Sequence, residues 1–171
     1  VTSVGTDAWY HDSHVASDGA GGLYVSWTQS PGAGTTGLDL RLQHLDARGA
    51  RLWPTDYAIT VPRDQITPVL LPDGAGGVFL VWRDIVTGSY ALGMQRVTSA
   101  GVALWGPEGK VLADGTSYGD EIALTPDGAG GFYCVWTNVV TYDVYAQRVN
   151  ASGDRLWSAS GVTVCGEAHA Q

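Results

Sequence analysis

Three short motifs in this 171-residue chain contain residue types that carry chemistry in proteins. Residues 115–119 read GTSYG, which has the G-x-S-x-G spacing of a serine nucleophile elbow. His11 and His14 form an H-x-x-H pair, which would bind zinc if further ligands lay nearby. Three copies of Asp-Gly-Ala-Gly-Gly, the first starting at Asp18, are glycine-rich like a phosphate-binding loop. Each chemistry requires a particular structural element to position it.

The elements predicted around these motifs favour a structural interpretation of all three. A nucleophile elbow joins a strand to a helix, whereas 24 Gly, 7 Trp and 8 Tyr favour short strands joined by tight turns. On a strand, residues three apart point to opposite faces, which separates His11 from His14. The Gly-rich segments lead into strands, without the helix N-terminus that a phosphate loop uses. We therefore predict no catalytic residue, no metal site and no cofactor.

The charge of the chain argues against polyanionic partners. Its formal net charge is -8, Lys110 is its only lysine, and its arginines are scattered singly. No run approaches the roughly 18 apolar residues of a membrane span. We expect neither a nucleic-acid partner nor membrane insertion.

A repeat with two conserved halves accounts for most of the sequence. The first half runs from a DGAGG turn to a tryptophan, and the second half runs from a glutamine to a Leu-Trp dipeptide. The first halves occupy residues 18–27, 73–82 and 127–136, and the second halves occupy residues 43–53, 95–105 and 147–157. Each half is typical of a β-hairpin, so that one copy supplies four strands.

An antiparallel four-stranded unit of about 50 residues, repeated in tandem, is typical of a β-propeller blade. We predict an all-β fold in which residues 1–171 form one propeller segment with three tandem four-stranded antiparallel blades, at about 10–61, 64–113 and 118–165. Residues 1–5 are predicted to be the outer strand of a preceding or ring-closing blade. Closed propellers have about four to eight blades, so we expect other blades as partners, in a longer chain or in a homodimer that forms a six-bladed ring.

The tryptophans and cysteines are predicted to serve packing. Two tryptophans recur in every copy, and we expect them to pack between blades. Cys134 and Cys165 replace apolar residues of the other copies, which favours buried free thiols over the alternative of a disulfide between them.

The repeat resembles a class of bacterial extracellular β-propeller-like repeats, whose units carry DG-x-GG, a strand ending in Trp, an AQRV-type strand and a G-x-x-LW turn. Gln-Arg-Val at residues 95–97 and 147–149 carries the likeness, and the first copy has Gln-His-Leu at 43–45. A weaker similarity is to the quinoprotein-type propeller repeat, through LDARGARLW at residues 45–53. The resemblance implies a secreted or cell-surface scaffold and no shared activity.

Ligand-binding residues are expected where the copies diverge, because the shared residues serve the shared fold. The divergent places are the segments that enter each first strand and the loops that follow each second strand. Their aromatic and acidic side chains are of the kinds that hold a sugar or a cation. The candidate ligand-binding residues are Trp9, Tyr10, His11, Asp64, Gln65, Arg83, Asp84, Tyr118, Asp120 and Glu121.

Three functions are compatible with this sequence. The favoured one is a non-catalytic extracellular scaffold or interaction module. A glycan or protein ligand is a candidate partner of the chain in addition to other blades. The first alternative is a carbohydrate-binding, lectin-like propeller that uses Trp9, Tyr10 and Tyr118. The second is a part of a larger propeller enzyme whose active site lies elsewhere, with acidic pairs such as Asp120 and Glu121 at a central pocket.

Overall fold

The computed structural model describes residues 10–30, 37–86, 89–113, 119–138 and 141–166. Regular structure in this part of the chain is entirely β. The strands are β1 (Tyr10–Ser17), β2 (Leu23–Gln29), β3 (Asp39–Leu45), β4 (Tyr57–Ile59), β5 (Asp64–Pro72), β6 (Val78–Val86), β7 (Ser89–Val97), β8 (Lys110–Ala113), β9 (Gly119–Pro126), β10 (Phe132–Asn138), β11 (Val144–Val149) and β12 (Val162–Cys165). Within the described ranges no helix has the length and apolarity that a membrane span requires.

The twelve strands form three sheets, one for each copy of the repeat. Each sheet is an antiparallel meander in which chain order equals spatial order, β1 to β4, β5 to β8 and β9 to β12. The all-β class and the three four-stranded antiparallel units predicted from the repeat are confirmed. The strand predicted at residues 1–5 lies outside the described residues.

The DGAGG segment is the turn between the first two strands of each sheet. In the first sheet Asp18 Oδ1 accepts hydrogen bonds from the backbone N–H groups of Ala20 and Gly22, both at 2.8 Å. A Cβ atom at Gly22 would lie 2.3 Å from the carbonyl oxygen of Leu45 on the third strand. Glycine is therefore required there by close packing of two backbones.

A buried glutamine joins the third strand of each sheet to the turn that follows it. Gln95 Oε1 accepts hydrogen bonds from the backbone N–H groups of Arg96 and Trp105, and its Nε2 donates to the carbonyl of Gly106. Gln43 and Gln147 make the corresponding bonds in the other sheets. The recurring glutamine is explained by the need to satisfy buried backbone groups.

The second sheet is buried on both faces because alternate residues of its strands point to opposite neighbours. Val78, Leu80 and Trp82 belong to the cluster shared with the first sheet. Phe79 and Val81 belong to the cluster shared with the third sheet. The hydrophobic core therefore consists of two layers, one on each side of the middle sheet.

The tryptophans pack between sheets wherever a neighbouring sheet is present, as predicted. Trp53 and Trp82 lie between the first and second sheets, and Trp105 and Trp136 lie between the second and third. Trp157 is exposed, because no described sheet covers the face to which it belongs.

The two cysteines differ in burial. Cys134 is buried and Cys165 is exposed, and both are free thiols. The prediction of a buried free thiol is thus confirmed for Cys134. For Cys165 the predicted free thiol is confirmed, but the prediction that it is buried is wrong. By strand register Cys165 is equivalent to Ile59 and Ala113, which are fully buried against the next sheet. Cys165 has the same place in its sheet without a described sheet on that side.

Candidate functional site

The first strand of each sheet contains a bulge with a left-handed residue. Asp12, Thr67 and Glu121 have φ angles of 52°, 54° and 53°, at equivalent positions of β1, β5 and β9. The strand register shifts at each of these places. Positive φ is unfavourable for residues other than glycine, so each bulge is a locally strained feature that the surrounding sheet maintains.

The first bulge contacts the neighbouring sheet. Asp12 Oδ2 accepts a hydrogen bond from the backbone N–H of Thr67 at 3.4 Å, which links β1 to β5. Sequence comparison of the copies does not show this, because the equivalent positions hold Asp, Thr and Glu. The bulge lies at the same distance before the DGAGG turn in every copy, but no recurring side chain marks it in the sequence.

The predicted site residues on β1 lie at its exposed start. Tyr10 and His11 are exposed, and His11 Nδ1 lies 3.8 Å from Asp12 Oδ2. His14 lies past the bulge, and its Nδ1 accepts a hydrogen bond from the backbone N–H of Leu70 at 3.2 Å. Burial lowers the pKa of His14, which favours the neutral ring that this bond requires. The imidazole ring of His14 therefore makes a contact between the first and second sheets.

The predicted residues of the second sheet are brought together by the β5–β6 pairing. Gln65 is paired with Asp84, and Ile66 is paired with Arg83. Gln65 is fully buried, and Asp64 Oδ1 accepts a hydrogen bond from the backbone N–H of Leu38 in the first sheet. The backbone N–H of Gln65 donates to the carbonyl of Leu38 at 2.7 Å, so Asp64 and Gln65 both help to hold two sheets together.

Asp84 is a buried carboxylate with two protein partners. Its Oδ1 accepts a hydrogen bond from Trp82 Nε1 at 3.0 Å, and its Oδ2 lies 3.2 Å from Arg63 Nε. Arg83, the next residue, has its guanidinium 5.5 Å from the ring centroid of Tyr90. Asp84 therefore positions a core tryptophan, a role that the sequence did not indicate.

The remaining candidates belong to the third sheet or precede the first. Glu121 is exposed on β9, and the backbone of Asp120 pairs with Thr137. Trp9, Tyr118 and the side chain of Asp120 lie outside the described residues, as do most residues of the GTSYG motif. Within the part of the chain that is described, no three His, Cys, Asp or Glu side chains are grouped so that they would hold a metal ion.

The repeated charged residues form ion pairs that join each DGAGG turn to its third strand. Asp18 Oδ2 lies 2.9 Å from His44 Nε2, and Arg96 donates to Asp73 Oδ2 at 2.9 Å. In the third sheet Arg148 donates to Asp127 Oδ2 through both Nε and a terminal nitrogen. These pairs engage the charged side chains that recur in the copies. In the first sheet, His44 occupies the position that Arg96 and Arg148 have in the other two sheets.

Aromatic rings cover the basic partners of these pairs. The guanidinium of Arg96 lies 5.3 Å from the centroid of Phe79, and that of Arg148 lies 5.5 Å from Tyr133. His44 stacks on Tyr24 with a centroid distance of 4.2 Å. The arrangement stabilises a partly buried basic side chain.

We predict opposite effects on acid stability for two aspartates of the first sheet. The hydrogen bond from His44 is the largest of the causes that lower the pKa of Asp18 below its ordinary value of 3.8. Ionised Asp18 therefore stabilises the fold above that value, and the stabilisation is lost as the pH falls through the lowered pKa. Asp18→Asn should accordingly lose less stability than the wild type on acidification, measured as the free energy of unfolding from urea titrations at a series of pH values.

Asp39→Asn is the matched control, because burial raises the pKa of Asp39 despite the neighbouring Arg41. Its ionisation opposes folding, and this cost appears as the pH rises through the raised pKa. The Asn variant should gain stability relative to the wild type over that rise. The same pH dependence in both variants would contradict the assignment.

A shallow cavity of about 300 Å³ lies between the first and second sheets, beside Trp53, Asp56, Tyr57 and Gly101. Trp53 Nε1 donates to the carbonyl of Ser99, and Asp56 accepts a hydrogen bond from Gln43. The polar groups of the cavity thus bind the protein itself. At the interface between the second and third sheets, Lys110 occupies the strand position that Tyr57 has in the first sheet. Its Nζ donates a hydrogen bond to the carbonyl of Ser152 in the third sheet.

Exposed apolar side chains lie on the outer faces of the two end sheets. Val135, Trp157 and Val164 are exposed on the third sheet, and Val15 is exposed on the first. Their equivalents in the middle of the structure are covered by a neighbouring sheet. These two faces are the strongest candidate for a functional surface, because exposed apolar residues that neighbouring sheets cover elsewhere in the chain mark interaction sites.

A scan against protein-family models gave no match, and a search of the curated proteins gave none either.

Proposed function

We propose that this chain is a β-propeller segment that serves as a non-catalytic scaffold or interaction module. The observation that carries the proposal is that the same docking contact is used at both sheet interfaces. The ring of Trp53 packs over Gly101 of the second sheet, and the ring of Trp105 packs over Gly153 of the third. Sheets related by one repeated docking step form an arc, and four-stranded meanders stacked in this way are the blades of propellers.

Contacts between first strands also support a propeller arrangement. The hydrogen bonds from Thr67 N–H to Asp12 and from Leu70 N–H to His14 hold β5 beside β1. In a propeller the first strand of every blade lies near the central axis, so neighbouring first strands are expected to meet. The left-handed residues on these strands would then line the central channel.

The non-catalytic part of the proposal rests on how the reactive groups are used. The recurring aspartates, arginines and glutamines are all engaged in turns and ion pairs within the sheets. Burial raises the pKa of Cys134, so that its thiol stays protonated and unreactive. Catalysis requires a nucleophile or an acid–base pair that faces a substrate. The use of the recurring charged residues in turns and ion pairs supports a non-catalytic function. The extracellular setting of the proposal rests on the resemblance of the repeat.

The proposal predicts that the purified chain shows no specific, competable binding on a glycan array. Trp9→Ala and Tyr10→Ala should give the same array as the wild type, because the proposal assigns no sugar to these aromatic residues. Leu104→Ala, at an exposed position in another turn, controls for nonspecific surface effects. Competable binding that is lost in Trp9→Ala and kept in Leu104→Ala would replace the scaffold with a lectin-like function.

A further inference from the structure

We infer that two copies of this chain pair head to tail, with the outer face of the third sheet of each copy docked on the outer face of the first sheet of the other. Trp157 of one copy would pack over Gly49 of the second copy. The inference rests on the proposed scaffold function and names its partner, a second copy of this chain.

The glycine of each second-hairpin turn is the first evidence. A Cβ atom at Gly101 would lie 3.2 Å from the ring of Trp53, and one at Gly153 would lie 2.7 Å from the ring of Trp105. Gly49 is the equivalent glycine of the first sheet, and no described residue comes within 4 Å of a Cβ built there. The first sheet thus offers an open place for an indole ring.

Trp157 is the tryptophan that this place would receive. Its equivalents are almost completely buried by the next sheet, with Trp53 5% and Trp105 7% exposed, whereas Trp157 is 38% exposed. The leucine that precedes each tryptophan behaves differently. Leu52, Leu104 and Leu156 are 50%, 49% and 46% exposed, so a neighbouring sheet does not cover this position. Burial by the next sheet is therefore specific to the tryptophan.

Polar contacts between sheets have matching groups on the two free faces. Tyr24 donates from its hydroxyl to the carbonyl of Gly76 in the next sheet at 2.6 Å. The equivalent pair across the proposed interface is Tyr133 and the carbonyl of Gly21. Arg96 donates to the carbonyl of Ala151 in the next sheet. Arg148 would correspondingly reach the carbonyl of Ala47 in the second copy.

The apolar residues of the first sheet complete the surface. Val15 is 61% exposed, whereas its equivalent Leu70 is 5% exposed because it packs on the first sheet. The layer between the first and second sheets contains four other residues of the second sheet: Val78, Leu80, Trp82 and Val97. Their equivalents in the first sheet are Leu23, Val25, Trp27 and Leu45. The first sheet therefore presents the type of face that the chain already uses to bind a preceding sheet.

Symmetry sets the size of the assembly. Because the two faces differ, the contact is heterologous, and it must either close or continue as an open chain. Two copies contribute six sheets, which is within the range of about four to eight blades in closed propellers. Closure by two identical contacts leaves neither face exposed, so we expect a closed pair.

The test is the solution mass, measured by light scattering coupled to size exclusion. The wild-type chain is expected at twice 18.0 kDa, and Trp157→Ala is expected at 18.0 kDa. Leu156→Ala is the matched control and should keep the mass of the pair. A wild-type mass of one chain at every concentration, a mass that keeps rising with concentration, or a Trp157→Ala chain that still pairs would overturn the inference.

Thiol labelling gives a second readout that does not depend on mass. Cys165 would be covered in the pair, as Ile59 and Ala113 are covered within the chain, and Cys134 is buried in either state. Native wild type should therefore react slowly with a thiol reagent at concentrations at which it pairs, and Trp157→Ala should show fast reaction at Cys165. Equal rates at Cys165 in the two proteins would contradict the docking of these faces.

Two glycine variants test the other face of the interface. Gly49→Asn would place a side chain where Trp157 docks, and asparagine tolerates the φ of +79° found there. Gly19→Asn is the matched control, since Gly19 has a φ of +78° and neither it nor its equivalents Gly74 and Gly128 lie near a ring. Only Gly49→Asn should yield single chains. Pairing that survives in Gly49→Asn would remove Gly49 from the interface.

These outcomes are separate from those of the glycan array. A single-chain mass removes the pair and leaves the scaffold function in place. Competable sugar binding by a paired protein removes the scaffold function and leaves the pair in place.

Discussion

Replacing Asp73 by alanine is expected to destabilise the fold by about 3–5 kcal/mol, the typical cost of removing one partner of a buried ion pair. The side chain of Asp73 is 4% exposed, and its Oδ2 accepts hydrogen bonds from Arg96. Without the carboxylate, Arg96 would keep its charge in a largely desolvated place over the Phe79 ring. The loss should appear as a lower midpoint in urea unfolding with an unchanged slope.

Asp46→Ala is the control that distinguishes loss of the ion pair from loss of the hydrogen bonds within the turn. Asp46 Oδ1 accepts hydrogen bonds from the backbone N–H groups of Arg48 and Ala50, both at 2.8 Å. Asp73 Oδ1 accepts the same two kinds of bond at 2.8 Å, from Ala75 and Gly77. Asp46→Ala should cost only about 0.5–2 kcal/mol, by analogy with other side-chain caps of backbone N–H groups. Equal losses in the two variants would show that the turn, and not the ion pair, accounts for the effect.

The sequence predicted the sheets well because the repeat places the same local signals in three contexts. A DGAGG segment that recurs before an aromatic strand identifies a tight turn without any alignment to other proteins. A glutamine ten residues before a tryptophan recurs because one side chain must satisfy the backbone of the following turn. These turn and hydrogen-bonding patterns depend on residues that are close together in the chain, so the sequence alone is enough to predict them.

The sequence did not predict the uses of residues that differ among copies. Asp84 has no aspartate equivalent at residues 29 or 138, so its bond to Trp82, two residues earlier on the same strand, has no counterpart that the repeat would reveal. The bulge at Asp12, Thr67 and Glu121 is a backbone feature that three unrelated side chains share. Divergence among copies predicts ligand binding, whereas on the second sheet the divergent residues also hold neighbouring sheets together.

Cys165 shows why a repeat alignment alone does not predict burial. The alignment places Cys165 among apolar positions, and this inference is sound for residues with a sheet on the relevant side. Burial of a sheet face is decided by its neighbour, and a sequence pattern does not contain the neighbour. Coverage by a neighbouring sheet likewise explains why Trp53 and Trp105 are buried and Trp157, at the equivalent position, is exposed.

Trp82→Ala is expected to destabilise the fold by about 3–5 kcal/mol, because a buried tryptophan leaves a large cavity when it is truncated. Its ring packs against the backbone of Gly93 and Gly109, where a Cβ would lie 2.3 Å and 2.7 Å from it, and its Nε1 donates to Asp84. The variant would thus lose its packing and leave a buried carboxylate with one partner fewer. Unfolding by urea at low protein concentration measures this cost for the single chain.

Trp27→Ala is the matched control, since Trp27 has the same repeat position on the less buried face of the first sheet. At low concentration its cost should be about half that of Trp82→Ala, because the transfer free energy scales with the apolar area removed from water. If the outer faces pair as inferred, a second copy covers Trp27, and the cost of Trp27→Ala should approach that of Trp82→Ala as the protein concentration rises. A difference between the two variants that is independent of concentration would show that Trp27 belongs to no interface. Equal costs at low concentration would show that repeat position, and not coverage by a neighbouring sheet, sets the stability contributed by each tryptophan.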